Sequence, residues 1–317
     1  TSVSAQTTVV LASAGADTIN GTSGDDSLSG RAGADTLNGG AGSDLLYGNT
    51  SSADEANTVI DTATFASGTI AWNATLNAWQ VSADSDLDTL YGIEKVVIGS
   101  AVTWLVDKTT NGGMSTFQET LTVAANGDTI RVAPGTYTGS AADFATLVAA
   151  APEITIDLDA GFNATVTDPI SVTAVNDLAA ITPGIVTATL ATGSLASFAD
   201  LAETGNAYTI TVNDAADAAL AATDLSTLGG KTTAVVTVSD AVVISGSTAE
   251  VTAALVTADT LVVASTAKVT VTDTISVSDV NAIAAKTSGV VTATLTTGNL
   301  ASFADLAETG NAYTITV

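Results

Sequence analysis

A period of nine residues runs through residues 12–47 and constrains the fold more strongly than any other feature of the sequence. Four nonapeptides follow one another without a gap: "ASAGADTIN", "GTSGDDSLS", "GRAGADTLN" and "GGAGSDLLY". Each has a glycine at its fourth position, an aspartate at its sixth and an aliphatic residue at its eighth. In chain order these residues are Gly15, Gly24, Gly33 and Gly42; Asp17, Asp26, Asp35 and Asp44; and Ile19, Leu28, Leu37 and Leu46. A flexible linker does not keep an apolar residue in phase, so the period predicts repeated short strands.

Each position of the nonapeptide has its own physical role. A glycine allows a tight turn with positive φ and leaves main-chain carbonyl groups accessible. The aspartate supplies carboxylate oxygen atoms, and the aliphatic residue belongs to a short strand and points inward. Each nonapeptide then forms half a coil, and units eighteen residues apart stack on the same side. Two stacked turns together form an all-oxygen cage of carboxylates and carbonyls, which suits Ca²⁺.

These residues resemble the RTX (repeats-in-toxin, or hemolysin-type) calcium-binding β-roll, whose consensus is G-G-x-G-x-D-x-U-x. The resemblance implies one Ca²⁺ site between the turns of Asp17 and Asp35, and another between the turns of Asp26 and Asp44. It also implies that the glycines of these turns belong to the metal sites. They are Gly15, Gly24, Gly33 and Gly42 at the fourth position, and Gly21, Gly30 and Gly39 at the first.

The nonapeptides depart from this consensus at several positions. Other residues stand where the consensus has glycine: Ala12 and Ser13 in the first unit, Thr22 in the second and Arg31 in the third. A fifth unit begins at Gly48 and loses the register, because Asp54 comes one place late. The number of bound Ca²⁺ ions is therefore left open.

The charge of the chain favours cations as partners. The sequence has 33 acidic and 7 basic residues, for a formal net charge of −26. Such a surplus disfavours binding to nucleic acids or to anionic membranes, which both require cationic groups. It also destabilises a compact state by self-repulsion unless cations neutralise it. Ca²⁺ is therefore the expected cofactor.

The absence of cysteine and histidine excludes several kinds of catalytic and metal site. It rules out disulfides, thiolate or imidazole ligands, histidine general bases and Ser-His-Asp triads. We expect no catalytic residue and no enzymatic activity. No apolar run reaches the ~18 residues of a membrane span, and no signal peptide is visible. The chain begins at Thr1 without methionine and ends within a repeat, so we expect it to be part of a longer protein.

Residues 59–100 extend the resemblance. The segments "VIDTATF" and "DTLYGIEKVVIGS" are similar to those that follow the repeats of large secreted RTX proteins. Between them, "GTIAWNATLNAWQVSAD" alternates around Trp72, Leu76, Trp79 and Val81 and predicts a hairpin. The acidic residues of this region are Asp84, Asp86 and Asp88. A solvated loop is the favoured interpretation of this cluster, and a cap on a further Ca²⁺ site is the alternative.

Residues 111–168 contain "NGDTIRVAPGTYTGS", which resembles the entry coil of right-handed parallel β-helix proteins. The resemblance implies inward-facing Ile130 and Val132, and a turn at Pro134 and Gly135. A helical stretch follows at 141–151. Some β-helix proteins are polysaccharide lyases, but Arg131 has no acidic partner at a recognisable spacing. We therefore interpret Arg131 as a structural residue.

The sequence of residues 170–212 is repeated at 275–317, an offset of 105 residues, and the last eighteen residues of the two copies are identical. Strand-like segments such as "IVTATL" and "YTITV" recur about every 22 residues with short helical patterns between them. This spacing predicts an α/β solenoid whose neighbouring coils bury one another's apolar faces. Helices are predicted in "LASFADLAETG" (195–205), "AADAALAATDL" (215–225), "STAEVTAALVTAD" (247–259) and "DVNAIAAKTSG" (279–289).

The strands of this region alternate threonine with apolar residues, as at Thr187 and Thr189 or at Thr292 and Thr294. The pattern predicts a row of threonines on one sheet face. A structural role is favoured, because threonine is β-branched and tolerates water. Binding of ice or of carbohydrate is the alternative.

Together these features predict a mainly β chain with short helices, an RTX parallel β-roll followed by an elongated α/β solenoid of β-helix or leucine-rich-repeat type. The expected domains are 1–58 (RTX β-roll), 59–110 (RTX-associated β segment), 111–168 (β-helix-like connection) and 169–317 (solenoid). The chain resembles large repetitive surface proteins of bacteria, including cyanobacteria. This resemblance implies type I secretion and an extracellular or cell-surface location, with a surface-layer or adhesin role.

The expected partners are Ca²⁺ and either further copies of the chain or a cell-surface glycan, without nucleic acid or membrane insertion. Two other functions stay open. The chain could be part of a secreted polysaccharide-acting enzyme, or a glycan- or ice-binding module that uses the threonine face.

Overall fold

The computed structural model describes residues 8–49, 59–83, 86–107, 117–150, 154–202, 204–257, 261–307 and 310–317. Strands account for 38% of the chain and helices for 20%, which confirms the prediction of a mainly β protein with short helices. The chain divides into two compact units. The first comprises Thr1–Ala164 and Ile181–Gly184, and the second comprises Thr165–Ala180 and Ile185–Val317.

The first unit consists of short strands and two helices. Its strands are β1 (Val9–Leu11), β2 (Thr18–Asn20), β3 (Ser27–Ser29), β4 (Thr36–Asn38), β5 (Leu45–Tyr47), β6 (Thr62–Phe65), β7 (Thr69–Asn73), β8 (Ala78–Ala83), β9 (Asp86–Tyr91), β10 (Lys95–Ile98), β11 (Ala101–Val106), β12 (Thr129–Val132), β13 (Gly135–Gly139), β14 (Thr155–Leu158) and β15 (Phe162–Val166). Its helices are α1 (Phe117–Val123) and α2 (Ala141–Ala150), and the last two residues of β15 already belong to the second unit.

Successive nonapeptides contribute alternately to two sheets. The strand orders are β1-β3-β5-β9-β8-β7 and β14-β12-β11-β10-β6-β4-β2. In parallel register, Ile19 lies opposite Leu37, and Leu28 lies opposite Leu46. Units eighteen residues apart therefore stack directly on one another, as the period predicts, and a parallel β-roll fits this arrangement.

The aliphatic position of each nonapeptide points into the core of the first unit. Ile19 is 5% exposed, and Leu28, Leu37 and Leu46 are fully buried. All four belong to one hydrophobic cluster that draws on strands of both sheets. Removing these side chains from water supplies the driving force that three-residue strands cannot obtain from their few hydrogen bonds.

Both sheets continue beyond the nonapeptides. Ala63 of β6 lies opposite Leu37 of β4, and Leu90 of β9 lies opposite Leu46 of β5, in parallel register. Ala63 is fully buried and Leu90 is 2% exposed. Strands β6 and β9 therefore take the places that a fifth and a sixth nonapeptide would occupy.

The predicted hairpin forms from β7 and β8, which pair antiparallel. Trp72 lies opposite Trp79, and their rings meet edge to face with centroids 5.2 Å apart. Trp79 and Val81 are buried, but Leu76 lies in the turn and is 44% exposed. The hairpin prediction is therefore confirmed, with Leu76 in its turn.

The segment that resembles a β-helix entry coil forms β12 and β13. Ile130 and Val132 are almost fully buried, which confirms their inward orientation. Arg131 lies opposite Asp157 of β14, with 2.8 Å between its Nη2 atom and Oδ2 of Asp157. This ion pair supports the structural interpretation of Arg131. The predicted helix at 141–151 corresponds to α2.

The second unit contains parallel strands separated by helices and loops. Its strands are β16 (Val186–Thr189), β17 (Ala207–Val212), β18 (Ala219–Ala221), β19 (Val236–Val238), β20 (Val243–Gly246), β21 (Val262–Val263), β22 (Lys268–Ile275), β23 (Val291–Leu295) and β24 (Ala312–Thr314). Its helices are α3 (Val172–Ile181), α4 (Ala222–Gly229), α5 (Thr248–Leu255) and α6 (Val277–Ala284), with 3-10 turns at Leu195–Phe198 and Leu300–Phe303.

These strands run parallel in two series, β16-β17-β19-β21 and β18-β20-β22-β23-β24. Threonines stack across them on the exposed side, with Thr189 opposite Thr209 and Thr294 opposite Thr314. The intervening residues of these strands point inward, as Ala188 and Ile210 do. The predicted alternation of exposed threonines with buried apolar residues is confirmed.

Two helix predictions in the second unit are wrong in extent. Among the described residues of 195–205, the helical structure is a 3-10 turn at Leu195–Phe198. In the stretch 215–225, Leu220 belongs to β18 and pairs with Ile244, so helix α4 begins only at Ala222. Tertiary pairing here outweighs the helix propensity of an alanine-rich segment. Within the described part of the chain, no helix is both long enough and apolar enough to cross a membrane.

Candidate metal centre

The turns of the nonapeptides place their aspartates directly above one another. The main-chain N–H of Asp17 donates to Oδ1 of Asp35 at 2.7 Å, and the N–H of Asp26 donates to Oδ1 of Asp44 at 2.8 Å. Each carboxylate therefore binds the backbone of the aspartate one coil earlier. The predicted pairs, Asp17 with Asp35 and Asp26 with Asp44, are brought together.

The same contact recurs beyond the nonapeptides. The N–H of Asp35 donates to Oδ1 of Asp61, and the N–H of Asp44 donates to Oδ1 of Asp88, both at 2.8 Å. The N–H of Asp61 donates to Oε2 of Glu94 at 2.7 Å. Two carboxylate columns result. The first column is Asp17, Asp35, Asp61 and Glu94, and the second column is Asp26, Asp44 and Asp88.

The period of nine residues does not reveal Asp61, Asp88 or Glu94, because residues 50–60 and the hairpin interrupt the phase. A local signal was present, however. Asp61 and Asp88 begin the tripeptides "DTA" and "DTL", which match the "DTI" and "DTL" of the first and third nonapeptides. The interpretation of Asp88 as part of a solvated loop is wrong, because its side chain is only 2% exposed. Asp54 and Asp84 lie outside the described residues.

Most of the column carboxylates are buried. Asp26, Asp35 and Asp44 are 1–2% exposed, whereas Asp17 at the outer end is only partly buried. Burial and the neighbouring charge of Asp26 raise the pKa of Asp44. Burial, together with the charges of Asp44 and Asp86, raises the pKa of Asp88 to about 6. The ionised forms of Asp44 and Asp88 are therefore electrostatically unfavourable by themselves, and a cation beside these two carboxylates would relieve this cost.

The first two turns satisfy their carboxylates with hydroxyl groups. The N–H and Oγ of Ser13 donate to Oδ2 of Asp17 at 2.9 and 2.6 Å. The N–H and Oγ1 of Thr22 donate to Oδ2 of Asp26 at 2.5 and 2.9 Å. Burial raises the pKa of Asp26, but the hydrogen bonds from Thr22 and Thr8 together lower it by more, so the pKa lies below its ordinary value. Ser13 and Thr22 depart from the glycine consensus, and each supplies a donor that glycine lacks.

The leading glycines, which are those at the first position of a nonapeptide, are required because the aspartate carboxylate of the same unit lies against them. A Cβ atom on Gly39 would lie 2.0 Å from Oδ2 of Asp44, and one on Gly30 would lie 2.2 Å from Oδ2 of Asp35. On Gly21 it would lie 2.0 Å from the carbonyl oxygen of Gly39. These three positions therefore exclude any side chain.

The fourth-position glycines serve the turn and its stacking. Gly33 and Gly42 have φ angles of 115° and 107°, as expected for a turn that needs positive φ. A Cβ atom on either would come within 2.6 Å of the main-chain carbon of Gly15 or Gly24, one coil earlier. Gly15 itself is less crowded, since the nearest atom to its Cβ position is 3.9 Å away.

The donor set of the columns fits a hard cation. Among the described residues, no group of three or more Asp, Glu, His or Cys side chains converges on one point. An ion between two turns would therefore take two carboxylates and complete its shell with main-chain carbonyls and water, which Ca²⁺ accepts and zinc does not favour. Oδ2 of Asp44 is buried and has no hydrogen-bond partner in the described part of the chain. Such an oxygen suits a cation ligand.

Comparison with known proteins agrees with this chemistry. Residues 11–46 match the family model of the RTX calcium-binding nonapeptide repeat, in four copies. No curated protein and no solved structure matches the chain. RTX nonapeptide repeats bind Ca²⁺, so Ca²⁺ is the cation that belongs with the repeats at residues 11–46.

Proposed function

Because residues 11–46 are RTX calcium-binding repeats, we propose that the chain is a structural, non-enzymatic segment of a large secreted or cell-surface protein. The observation that carries the proposal is the stacking of buried carboxylates in two columns, with hydrogen bonds of 2.7–2.8 Å between successive members. Buried like charges need a counter-ion. We propose a surface-layer or adhesin role, in which Ca²⁺ controls folding.

The proposed ligands are the aspartates of the nonapeptides and the main-chain carbonyls of their turns. Asp17 and Asp35 hold one ion, and Asp26 and Asp44 hold another. The contributing turns contain Gly15, Gly24, Gly33 and Gly42, with Gly21, Gly30 and Gly39 leaving room for the carboxylates. Calcium supplies positive charge, and the chain supplies oxygen atoms at fixed positions.

Calcium binding in this proposal is coupled to folding. Without the ion, the carboxylates of each column repel one another, and the net charge of −26 opposes compaction. An ion that binds only the folded roll adds its binding free energy to the stability of that roll. A chain that is unfolded in low calcium suits type I secretion, and extracellular calcium would then fold it.

The second unit is proposed to be a solenoid that serves as a spacer or an assembly surface. Its parallel strand series and the 105-residue duplication support this interpretation. Self-association or attachment to a cell-surface glycan would follow from such a surface. The four-domain division at residues 58, 110 and 168 belongs to the same proposal.

A glycan- or ice-binding module is the second candidate, and the exposed threonine rows favour it. Thr189, Thr209, Thr294 and Thr314 are all exposed on parallel strands. Ice-shaping and glycan-array assays separate this role from a purely structural one. The Arg131–Asp157 ion pair gives no support to the polysaccharide-acting alternative.

The proposal is tested by a Ca²⁺ titration of the chain, followed by circular dichroism and by particle size. We expect calcium to order the wild type, and Asp35→Ala/Asp44→Ala to need much more of it. The matched control is Asp177→Ala/Asp200→Ala, which removes two exposed carboxylates from the second unit and should titrate like the wild type. A chain that is fully folded in chelator and indifferent to calcium would overturn the proposal.

A further inference from the structure

Asp88 lies outside the matched repeats but takes the position of a repeat aspartate. Its Oδ1 accepts the N–H of Asp44 at 2.8 Å, the same distance as between Asp44 and the N–H of Asp26. The next hydrogen bond also corresponds, because Thr89 N–H donates to the carbonyl of Asp44 as Leu45 N–H does to that of Asp26. Strand β9 therefore stacks on the last nonapeptide as a further repeat would.

The turn between these two carboxylates contains a buried anionic oxygen that lacks a donor. Asp44 is 1% exposed, and its Oδ2 has no hydrogen-bond partner among the described residues. In the preceding coil, Oδ2 of Asp26 receives two hydrogen bonds from Thr22. The residue that corresponds to Thr22 in the turn of Asp44 is Gly40, which has no hydroxyl group.

An unsatisfied buried carboxylate oxygen is costly, and within the described part of the chain no basic side chain forms an ion pair with Asp44. The charges close to Asp44 are instead negative, since Asp86 accepts the N–H of Gly42 and Asp25 accepts the N–H of Ser43. A bound cation would satisfy the oxygen and neutralise its surroundings.

We propose that Asp44 and Asp88 hold a Ca²⁺ ion between the turn at 39–44 and the start of β9, at a site that extends beyond the matched repeats at residues 11–46. This site would use the same oxygen ligands as the repeats, so the inference rests on the proposed function. Carboxylate and main-chain oxygens make calcium the fitting ion.

The site would connect segments that are distant in sequence. Asp44 and Asp88 are 44 residues apart, and the hairpin of β7 and β8 lies between them. Strand β8 pairs with β9, with Trp79 opposite Leu90. Calcium at Asp44 and Asp88 would therefore hold β9, and with it the hairpin, against the last nonapeptide. It would also neutralise the last two carboxylates of the second column.

The test is to count tightly bound Ca²⁺ ions per chain by equilibrium dialysis, in the wild type and in Asp88→Asn. Asparagine keeps an oxygen for the N–H of Asp44 but removes the charge. We expect Asp88→Asn to bind one ion fewer than the wild type. The matched control, Asp25→Asn, removes an exposed charge beside the same turn without touching a column, and should keep the wild-type count.

Hydrogen exchange supplies a second readout that locates the effect. We expect calcium to protect the amides of β8 and β9 in the wild type but much less in Asp88→Asn, while β2 and β4 stay protected in both. An unchanged ion count in Asp88→Asn, with β8 and β9 protected as in the wild type, overturns the inference. A wild type that binds no calcium would instead contradict the proposed function itself.

Discussion

Gly39 and Gly15 both lack the positive φ that would demand glycine, but they differ in the space around them. A Cβ atom at Gly39 would lie 2.0 Å from Oδ2 of Asp44, whereas at Gly15 the nearest atom would be 3.9 Å away. We expect Gly39→Ala to destabilise the calcium-loaded protein by about 1–3 kcal/mol, because the carboxylate must move. Gly15→Ala should be nearly neutral. Urea unfolding in calcium measures both, and equal losses would contradict this role of the leading glycine.

Arg31 occupies a repeat position where glycine is the better residue. Its φ angle is 73°, and Gly40 at the same position of the next nonapeptide has a φ angle of 98°. We expect Arg31→Gly to stabilise the calcium-loaded protein by about 0.5–1 kcal/mol, because the strain of a left-handed residue exceeds the entropy cost of glycine.

The control for Arg31 is Thr22→Gly at the same repeat position. The hydroxyl group of Thr22 donates a hydrogen bond to Oδ2 of Asp26 that glycine cannot make, so its replacement should destabilise the protein although the consensus residue is restored. The two variants are compared by chemical unfolding in calcium. A loss of stability in Arg31→Gly would show that the side chain contributes more than its backbone conformation costs.

At the scale of the element, α5 shows how a local sequence signal fixes a helix. Ser247 accepts the N–H of Glu250, and the Glu250 carboxylate accepts the N–H of Ser247 at 2.7 Å, which is a reciprocal capping box. We expect Ser247→Ala to cost about 1 kcal/mol of stability in the second unit. Thr252→Ala within the same helix should change it by less than about 0.5 kcal/mol. Thermal unfolding separates the two, and equal effects would argue against the cap.

A comparison of two segments shows why some elements could be predicted from sequence and others could not. The segment 247–259 carries its own helix start, and α5 forms there. The alanine-rich segment 215–225 is compatible with both helix and strand, and pairing of Leu220 with Ile244 decides for a strand. That partner lies 24 residues away, so local propensity cannot reveal it.

The nonapeptide strands were predictable because period and burial coincide, with the aliphatic position fully inside at Leu28, Leu37 and Leu46. Strands β6 and β9 were not, because insertions shift Asp61 and Asp88 out of phase. Their place in the columns depends on which strands they lie beside, a property of the folded chain rather than of its period.

For the whole molecule, two identical segments test how far context determines structure. Residues 196–212 and 301–317 have the same sequence, but Ile210 is fully buried and Ile315 is 45% exposed. The difference arises because β19 lies beside Ile210, which is opposite Val236.

We therefore expect Ile210→Ala to cost about 2–5 kcal/mol of stability and Ile315→Ala about 1 kcal/mol or less. Denaturant unfolding of the second unit measures both. Because local sequence is the same at the two sites, the pair isolates the contribution of tertiary packing. Equal losses would mean that Ile315 is packed as fully as Ile210.

The acidity of the chain and the two carboxylate columns lead to one central claim, that Ca²⁺ folds the roll. Hydrogen–deuterium exchange with and without calcium tests it most directly, because it reports on each strand separately. We expect β2 to β5 to exchange slowly only in calcium, while the strands of the second unit exchange alike in both conditions. Slow exchange of β2 to β5 in chelator, or a calcium effect confined to the second unit, would contradict the claim.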